Sequence, residues 1–312
     1  MVDLGGFMMS FRLRENDCKI IECIAEYNIL TVPQITAIFQ KNKQVLRRRF
    51  RELKRQGLVN MTNREFGRTR GRPESLLGLT EHGLDILKEE GIIDRDVPYE
   101  NVSPVSIRRV DHQILLNRFR IHLNQIERAL PRLSVRFMAY NSPFLPRQPD
   151  GRTIISDSSP IGRRSVREVR FTPDAVFATT DAVQDKTLLF FLEVDCGTET
   201  LSSPQCKMTD IRQKILNYQW YFQSLRYKRY KEIFNTSRLH GFRLLFVTKT
   251  VGRLAALCKL TQEMEPSSFI WLTEYSRLIP EGVSAKIWAV GGDLNGPQDS
   301  ILGRLCCNAP LP

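Results

Sequence analysis

Apolar positions in the first hundred residues recur at helical spacing, and polar residues suited to caps and turns fall between them. In "DCKIIECIAEYNI", residues 17–29, Ile20, Ile21, Ile24 and Ile29 with Cys23 share a face, which predicts a helix with one buried side. Thr31 before Val32 and Pro33 reads as an N-cap with proline in the first turn, opening a short helix through Phe39. After "QKNK" comes a third helix, "QVLRRRFRELKRQG", with Leu46, Phe50 and Leu53 facing inward and Gly57 closing it. "LVNMTNRE" and "ESLLGLT" read as strands joined by the tip "FGRTRGRP". Thr80 then caps a fourth helix, "EHGLDILKEE", ending at Gly91.

Residues 93–107 lack periodicity and carry Pro98 and Pro104, so they read as a linker between a first domain at 1–92 and a second at 108–290. Val110, Ile114, Leu115, Phe119, Leu123, Ile126 and Leu130 form a helical stripe that stops before Pro131. "LSVRFMAY" reads as a strand, and residues 141–166, rich in Pro, Gly, Ser and Arg, as a long mobile insertion. "EVRFTPDAVFATT" and "KTLLFFLEVD" read as consecutive strands, followed by a long helix across 205–234. A strand at 242–249, a short helix at 253–264, the strand "SFIWLTEY" and "IWAV" close the pattern before a loosely ordered tail at 291–312. The expectation is an α/β (α+β) chain whose second domain is a mixed sheet flanked by helices.

Charge changes how the first domain reads. The 312-residue chain carries a formal net charge of +12. Between Lys41 and Arg72 there are twelve Lys and Arg against Glu52 and Glu65, so this window alone is +10. Arg47, Arg51 and Arg55 recur at i+4 on a face away from the leucines, Arg48 and Lys54 flank them, and Lys43 opens the helix. The hairpin tip adds Arg64, Arg68, Arg70 and Arg72. Helix, helix, basic helix, basic hairpin, helix is the order of a winged helix-turn-helix. That arrangement suits double-stranded DNA, with the third helix in the major groove and the wing on phosphates or the minor groove. The alternative is a module used for protein contacts, its charges a solvated face.

Other patterns exclude classes. No stretch reaches the ~20 apolar residues of a spanning helix, and the start has no basic leader, so no membrane partner is expected. The seven cysteines show no C-x-x-C pair, and an odd count argues against a disulfide framework, which fits a reduced, cytoplasmic protein. Cys306 and Cys307, adjacent near the tail, read as oxidation-prone. The four histidines form no H-x-H cluster, which argues against a metal-dependent relaxase that nicks through tyrosine. Phosphate-loop and G-x-S-x-G strings are also absent. Tyr218, Tyr221, Tyr227 and Tyr230, with Trp220 and Phe222, read as core or as the face of a homodimer.

The second domain's chemistry lies in its acids. Along 188–195, Leu188, Phe190, Leu192 and Val194 point one way, and Leu189, Phe191, Glu193 and Asp195 the other. Asp174 follows Pro173 in the neighbouring run. Three carboxylates converging at a sheet end would hold a hard cation such as Mg²⁺, which activates bound water. Here P-D, a gap of about twenty residues, then E-x-D resembles the PD-(D/E)xK nuclease superfamily. The resemblance implies Asp174 and Glu193 as Mg²⁺ ligands beside Asp195, with a lysine positioning water. Asp195 stands where that lysine is usual, so Lys214 from the following helix, one turn before Tyr218, or Lys207 would replace it. Glu127 is the further acid available on the first helix, and Glu199 reads either as another ligand or as a first-turn acid of the next helix. The alternative is a structural ion network with Arg170, Lys207 or Lys214 around a dead site.

A wider resemblance covers most of the chain. The basic winged helix, "DHQILLNRFRIHL", "TPDAVF", "FFLEVDCGTET" and "KILNY" together resemble the plasmid replication-relaxation family. That resemblance implies a DNA-binding protein of plasmid or mobile-element maintenance or transfer, with a restriction-endonuclease-like second domain and relaxase or replication proteins as partners. Three functions stay open: an accessory factor needing no cofactor, a Mg²⁺-dependent endonuclease, and a transcriptional regulator whose second domain only dimerises.

Overall fold

In the computed structural model, residues 13–63, 75–103, 110–160, 168–202 and 210–305 are described, and they fall into two compact units. Residues 1–108 with 141–144 make the first unit, and residues 109–140 with 145–312 the second. The chain is a mixed α/β protein.

The first unit runs α1 (Glu15–Tyr27), β1 (Ile29–Thr31), α2 (Val32–Phe39), α3 (Lys43–Arg55), β2 (Val59–Asn63), β3 (Ser75–Leu79) and α4 (Glu81–Glu89). Its three strands order as β1-β3-β2, all antiparallel. The helix expected over 17–29 stops early. Asn28 turns to φ 58, and Ile29–Thr31 joins the sheet as a strand the periodicity did not separate from the helix. Thr31 and Gln34 form a reciprocal cap, Thr31 Oγ1 accepting from the Gln34 amide at 3.3 Å and Gln34 Oε1 from the Thr31 amide at 2.9 Å. Thr80 caps α4 by accepting from the Gly83 amide at 3.0 Å. A Cβ at Gly83 would lie 2.2 Å from the carbonyl oxygen of Leu58, so only glycine lets α4 sit this close to the start of β2. Ile93 and Val102 are buried, so the expected linker packs over part of its length. Residues 104–107 lie outside the described residues, as does the hairpin tip at 64–74.

The second unit opens with α5 (Val110–Ala129) and β4 (Leu133–Ala139), followed by β5 (Asp157–Pro160), β6 (Glu168–Phe171), β7 (Ala175–Asp181) and β8 (Lys186–Asp195). Next come α6 (Ile211–Gln223), α7 (Tyr230–Ile233), β9 (Phe242–Thr248), α8 (Val251–Gln262), β10 (Ile270–Glu274), α9 (Tyr275–Glu281) and β11 (Ala289–Val290). A six-stranded sheet orders as β11-β10-β9-β8-β7-β4, with β8, β9 and β10 parallel and the other pairings antiparallel. The alternation in β8 falls as expected. Leu189 and Phe191 join a core with α6 and α8, while Phe190, Leu192 and Val194 join one with α5 and the segment after α9.

Four expectations are corrected here. "EVRFTPDAVFATT" is not one strand: Pro173, which lacks an amide donor, interrupts it. The first half becomes β6, which pairs with β5 in a separate two-stranded sheet. That pairing, with Ile155 fully buried, makes 145–160 packed structure rather than a mobile insertion; residues 161–166 lie outside the described residues. The helix expected over 205–234 breaks where Leu225 adopts φ 58, so α6 and α7 are separate, joined through a 3-10 turn at Arg226–Arg229. All four tyrosines of that stretch are buried in the core, three of them edge-on to Phe191. Finally, Asp299 bridges to Trp288, and Ile301 and Leu302 are buried, so 291–305 is packed rather than loose. Cys306 and Cys307 lie outside the described residues.

Candidate functional site

Helix α3 divides by burial. Leu46, Phe50 and Leu53 are buried, while Lys43, Arg47, Arg48, Arg51, Lys54 and Arg55 are exposed, so the spacing that buries one stripe presents a cationic ridge on another. Arg55 pairs with Glu52 at 2.8 Å, which leaves the ridge strongly positive. Arg49 behaves differently: its guanidinium grips the buried carboxylate of Asp17 on α1 through Nε and Nη2. The wing candidates Arg68, Arg70 and Arg72, and Arg64 beside them, lie outside the described residues.

The second cluster sits where β7 begins and β8 ends. Asp174 lies in the Pro-Asp turn before β7, and its Oδ2 accepts the Val194 amide of β8 at 2.7 Å. The same oxygen lies 3.0 Å from Nε2 of His112, in the first turn of α5. Glu193 on β8 reaches α6, accepting from Lys214 Nζ at 3.0 Å and from the Tyr218 hydroxyl at 2.6 Å. Lys214 also lies 3.0 Å from Glu199. Asp195 faces Arg253 of α8, Nε to Oδ2 at 2.5 Å, and Arg253 also donates to the Glu199 carbonyl at 2.6 Å.

Burial sets the electrostatics. It raises the Glu193 pKa to about 7, with Asp174 adding to the rise and Lys214 opposing it. Burial also disfavours charge on Lys214, but Glu193, Glu199 and Asp174 outweigh it and hold the ammonium charged well beyond neutral pH. For Asp174 the burial cost is overcome by His112, Lys214 and the Val194 amide, so its pKa falls below the usual range. His112, buried beside Asp174, is correspondingly raised. The phenol of Tyr218, buried against Glu193, stays protonated far above its normal range. The arrangement can therefore hold a proton on Glu193 near neutrality while Lys214 remains cationic.

Of the expected site residues, Asp174, Glu193 and Lys214 share one network. Asp195 is turned to Arg253. Glu127 is elsewhere, accepting the Val135 amide at 2.8 Å, about four turns along α5 from His112. Glu199 pairs with Lys214 rather than serving only as a first-turn acid, and Lys207 lies outside the described residues. His112 and Arg253 are functional neighbours that their own sequence windows do not reveal, because each is brought in from about sixty residues away. The one available signal was the "DHQ" string that carries His112. Among the described residues no group of three or more His, Cys, Asp and Glu is arranged to hold a metal ion. The donor chemistry agrees, since each of Asp174, Glu193 and Asp195 already has a basic partner. A three-carboxylate Mg²⁺ set would therefore require the Lys214 and Arg253 pairs to open.

An exposed arginine ridge on one unit and a buried carboxylate–lysine network at a sheet end on the other define a mixed α/β protein with two basic chemistries to explain. The chain belongs to the replication-relaxation family, whose model matches residues 21–236. Membership carries a role in replication or relaxation of a plasmid or mobile element, and with it interaction with DNA or the replication machinery. No curated protein and no solved structure matches the chain. Among the described residues no helix is long and apolar enough to cross a membrane.

Proposed function

We propose that the chain is a DNA-binding accessory protein of a plasmid or other mobile element. In this reading the first unit is a winged helix-turn-helix whose α3 enters the major groove. The second unit is a nuclease-like scaffold that grips DNA without cutting it. The observation that carries the proposal is the exposed ridge of Lys43, Arg47, Arg48, Arg51 and Arg55, on a helix whose opposite face is fully buried. Exposed cations on one rigid face gain by releasing counterions from a duplex, and a helix is the element that fits the groove. The Arg47→Ala/Arg51→Ala double variant is expected to bind duplex DNA at least tenfold more weakly. The slope of log K against log salt should flatten by about 2, roughly one per lost phosphate contact. Gel-shift titrations at several salt concentrations measure both; unchanged affinity and slope would take the helix out of the interface.

A second reading, Mg²⁺-dependent nicking, is favoured by Asp174 and Glu193 feeling each other's charge beside Lys214. Asp174, Glu193 and Asp195 would be the ligands and Lys214 the water-positioning group. The Arg253 and Lys214 pairs would have to open first. Supercoiled plasmid with Mg²⁺ or Mn²⁺ separates the two. Nicked product that disappears in Glu193→Ala supports the enzyme, whereas unchanged topology in both metals supports the non-cleaving scaffold.

A further inference from the structure

At the opposite end of the six-stranded sheet from the carboxylates lies a cavity of about 380 Å³. Strand register puts it where β7 ends and β8 and β9 begin, five to seven residues of β8 from Glu193, or roughly 20 Å. Its rim carries Arg132, Lys186, Arg243 and Arg304 against one carboxylate, Asp181. Asp181 is engaged by Arg132 at 2.5 Å. Among the described residues Lys186, Arg243 and Arg304 form no ion pair, although Asp299 is near enough to act on Arg243 through space. Arg243 is half-buried, its guanidinium stacked 4.2 Å from the ring centroid of Trp271, and burial holds its pKa below the usual value. Leu133, Leu188 and Leu302 supply an apolar floor beside these cations.

Half-buried Arg243 carries a desolvation cost that an anion would offset, exposed Lys186 and Arg304 add positive potential beside it, and the apolar floor next to them selects an anion that also has an apolar face. A nucleotide unit has both: a phosphate for the fork of an arginine, and a base that lies on leucine or stacks on a guanidinium. The volume is that of a small-molecule site, too large for a bare phosphate. We propose that this cavity binds a single nucleotide unit, its phosphate held by Lys186, Arg243 and Arg304 and its base against Leu133, Leu188 and Leu302. The site is separate from the α3 ridge and does not depend on that ridge contacting DNA.

Trp271 supplies the readout, because occupancy around Arg243 changes the environment of its ring. The full chain would be titrated at fixed ionic strength with thymidine 5′-monophosphate, hexathymidylate, thymidine and inorganic phosphate, following tryptophan emission. The expected result is a saturable change with the monophosphate or the hexanucleotide and none with thymidine. Apparent Kd should weaken at least tenfold in Lys186→Gln/Arg304→Gln, two exposed positions whose loss leaves the fold intact by circular dichroism. A response to the monophosphate assigns a free nucleotide, and a response to the hexanucleotide alone assigns a strand. The Arg47→Ala/Arg51→Ala background should keep the response, which separates failure here from failure of the groove-binding ridge. Inorganic phosphate binding as well as the monophosphate, no response to either nucleotide probe, or an unchanged Kd in the double variant would each overturn the assignment.

Discussion

Lys214→Met is expected to lower unfolding free energy by about 3 kcal/mol at pH 8, and by clearly less at pH 6. Lys214 bridges Glu193 and Glu199 at 3.0 Å each, and Glu193 lies inside the core edge with only Tyr218 as a second donor. Removing the ammonium leaves a buried carboxylate without its counter-charge, which is costlier than never having built the pair. The low end of the range applies because Lys214 keeps 27% of its side chain exposed. The pH dependence follows from Glu193, whose pKa in the folded chain is about 7, above its ordinary 4.5. A raised folded-state pKa means the folded chain holds the proton more tightly. Its stabilising contribution is complete below about pH 4.5 and is lost as pH rises through about 7. Without Lys214 that proton is held tighter still, so the variant regains stability on acidification where the parent gains less. Urea unfolding at pH 6, 7 and 8 measures the difference; an equal deficit at all three would mean that Glu193 does not take up the proton. Adding Glu193→Gln should recover much of the loss at pH 8, as removal of both charges leaves nothing buried unpaired.

Local patterns carried the elements, and long-range pairing decided the site. The Leu46, Phe50, Leu53 spacing and the two-sided alternation of β8 are properties of short windows, and both are read correctly because burial there follows the intrinsic period. Caps at Thr31 and Thr80 are equally local, set by a hydroxyl three residues from an amide. Two of the misread segments are ones in which a helix-compatible or strand-compatible pattern is cut by one residue's backbone. Pro173 divides β6 from β7, and Leu225 in the left-handed region divides α6 from α7. At the carboxylate cluster, Asp174 and Glu193 stood out as acids beside apolar strands. The partners of Asp174 and Asp195 did not, because His112 and Arg253 come from other elements and only the "DHQ" string around His112 sets either apart. The same limit hid the cationic cavity, whose basic residues come from four separate places in the chain.

Arg49→Ala is expected to destabilise the first unit by about 3 kcal/mol while leaving the salt slope of DNA binding unchanged at temperatures where the unit is folded. In the run Arg47-Arg48-Arg49 the three side chains look alike, yet the 3.6-residue period sends the third toward the buried stripe of Leu46, Phe50 and Leu53. There it meets Asp17, which is 1% exposed and also accepts the Arg14 amide at 2.8 Å as part of the α1 cap. A planar guanidinium contacting a carboxylate through two nitrogens both neutralises it and fixes α3 against α1. Alanine would leave Asp17 charged and buried with only a backbone donor, the most expensive way to break such a pair. The neighbouring Arg48→Ala, at an exposed position, should change stability by less than about 0.5 kcal/mol. Amide hydrogen exchange across α1 and α3 reads the difference directly: protection should collapse in Arg49→Ala and persist in Arg48→Ala. Equal protection in the two variants would mean that Asp17 finds another counter-charge, and Arg49 would then return to the set of groove-facing cations.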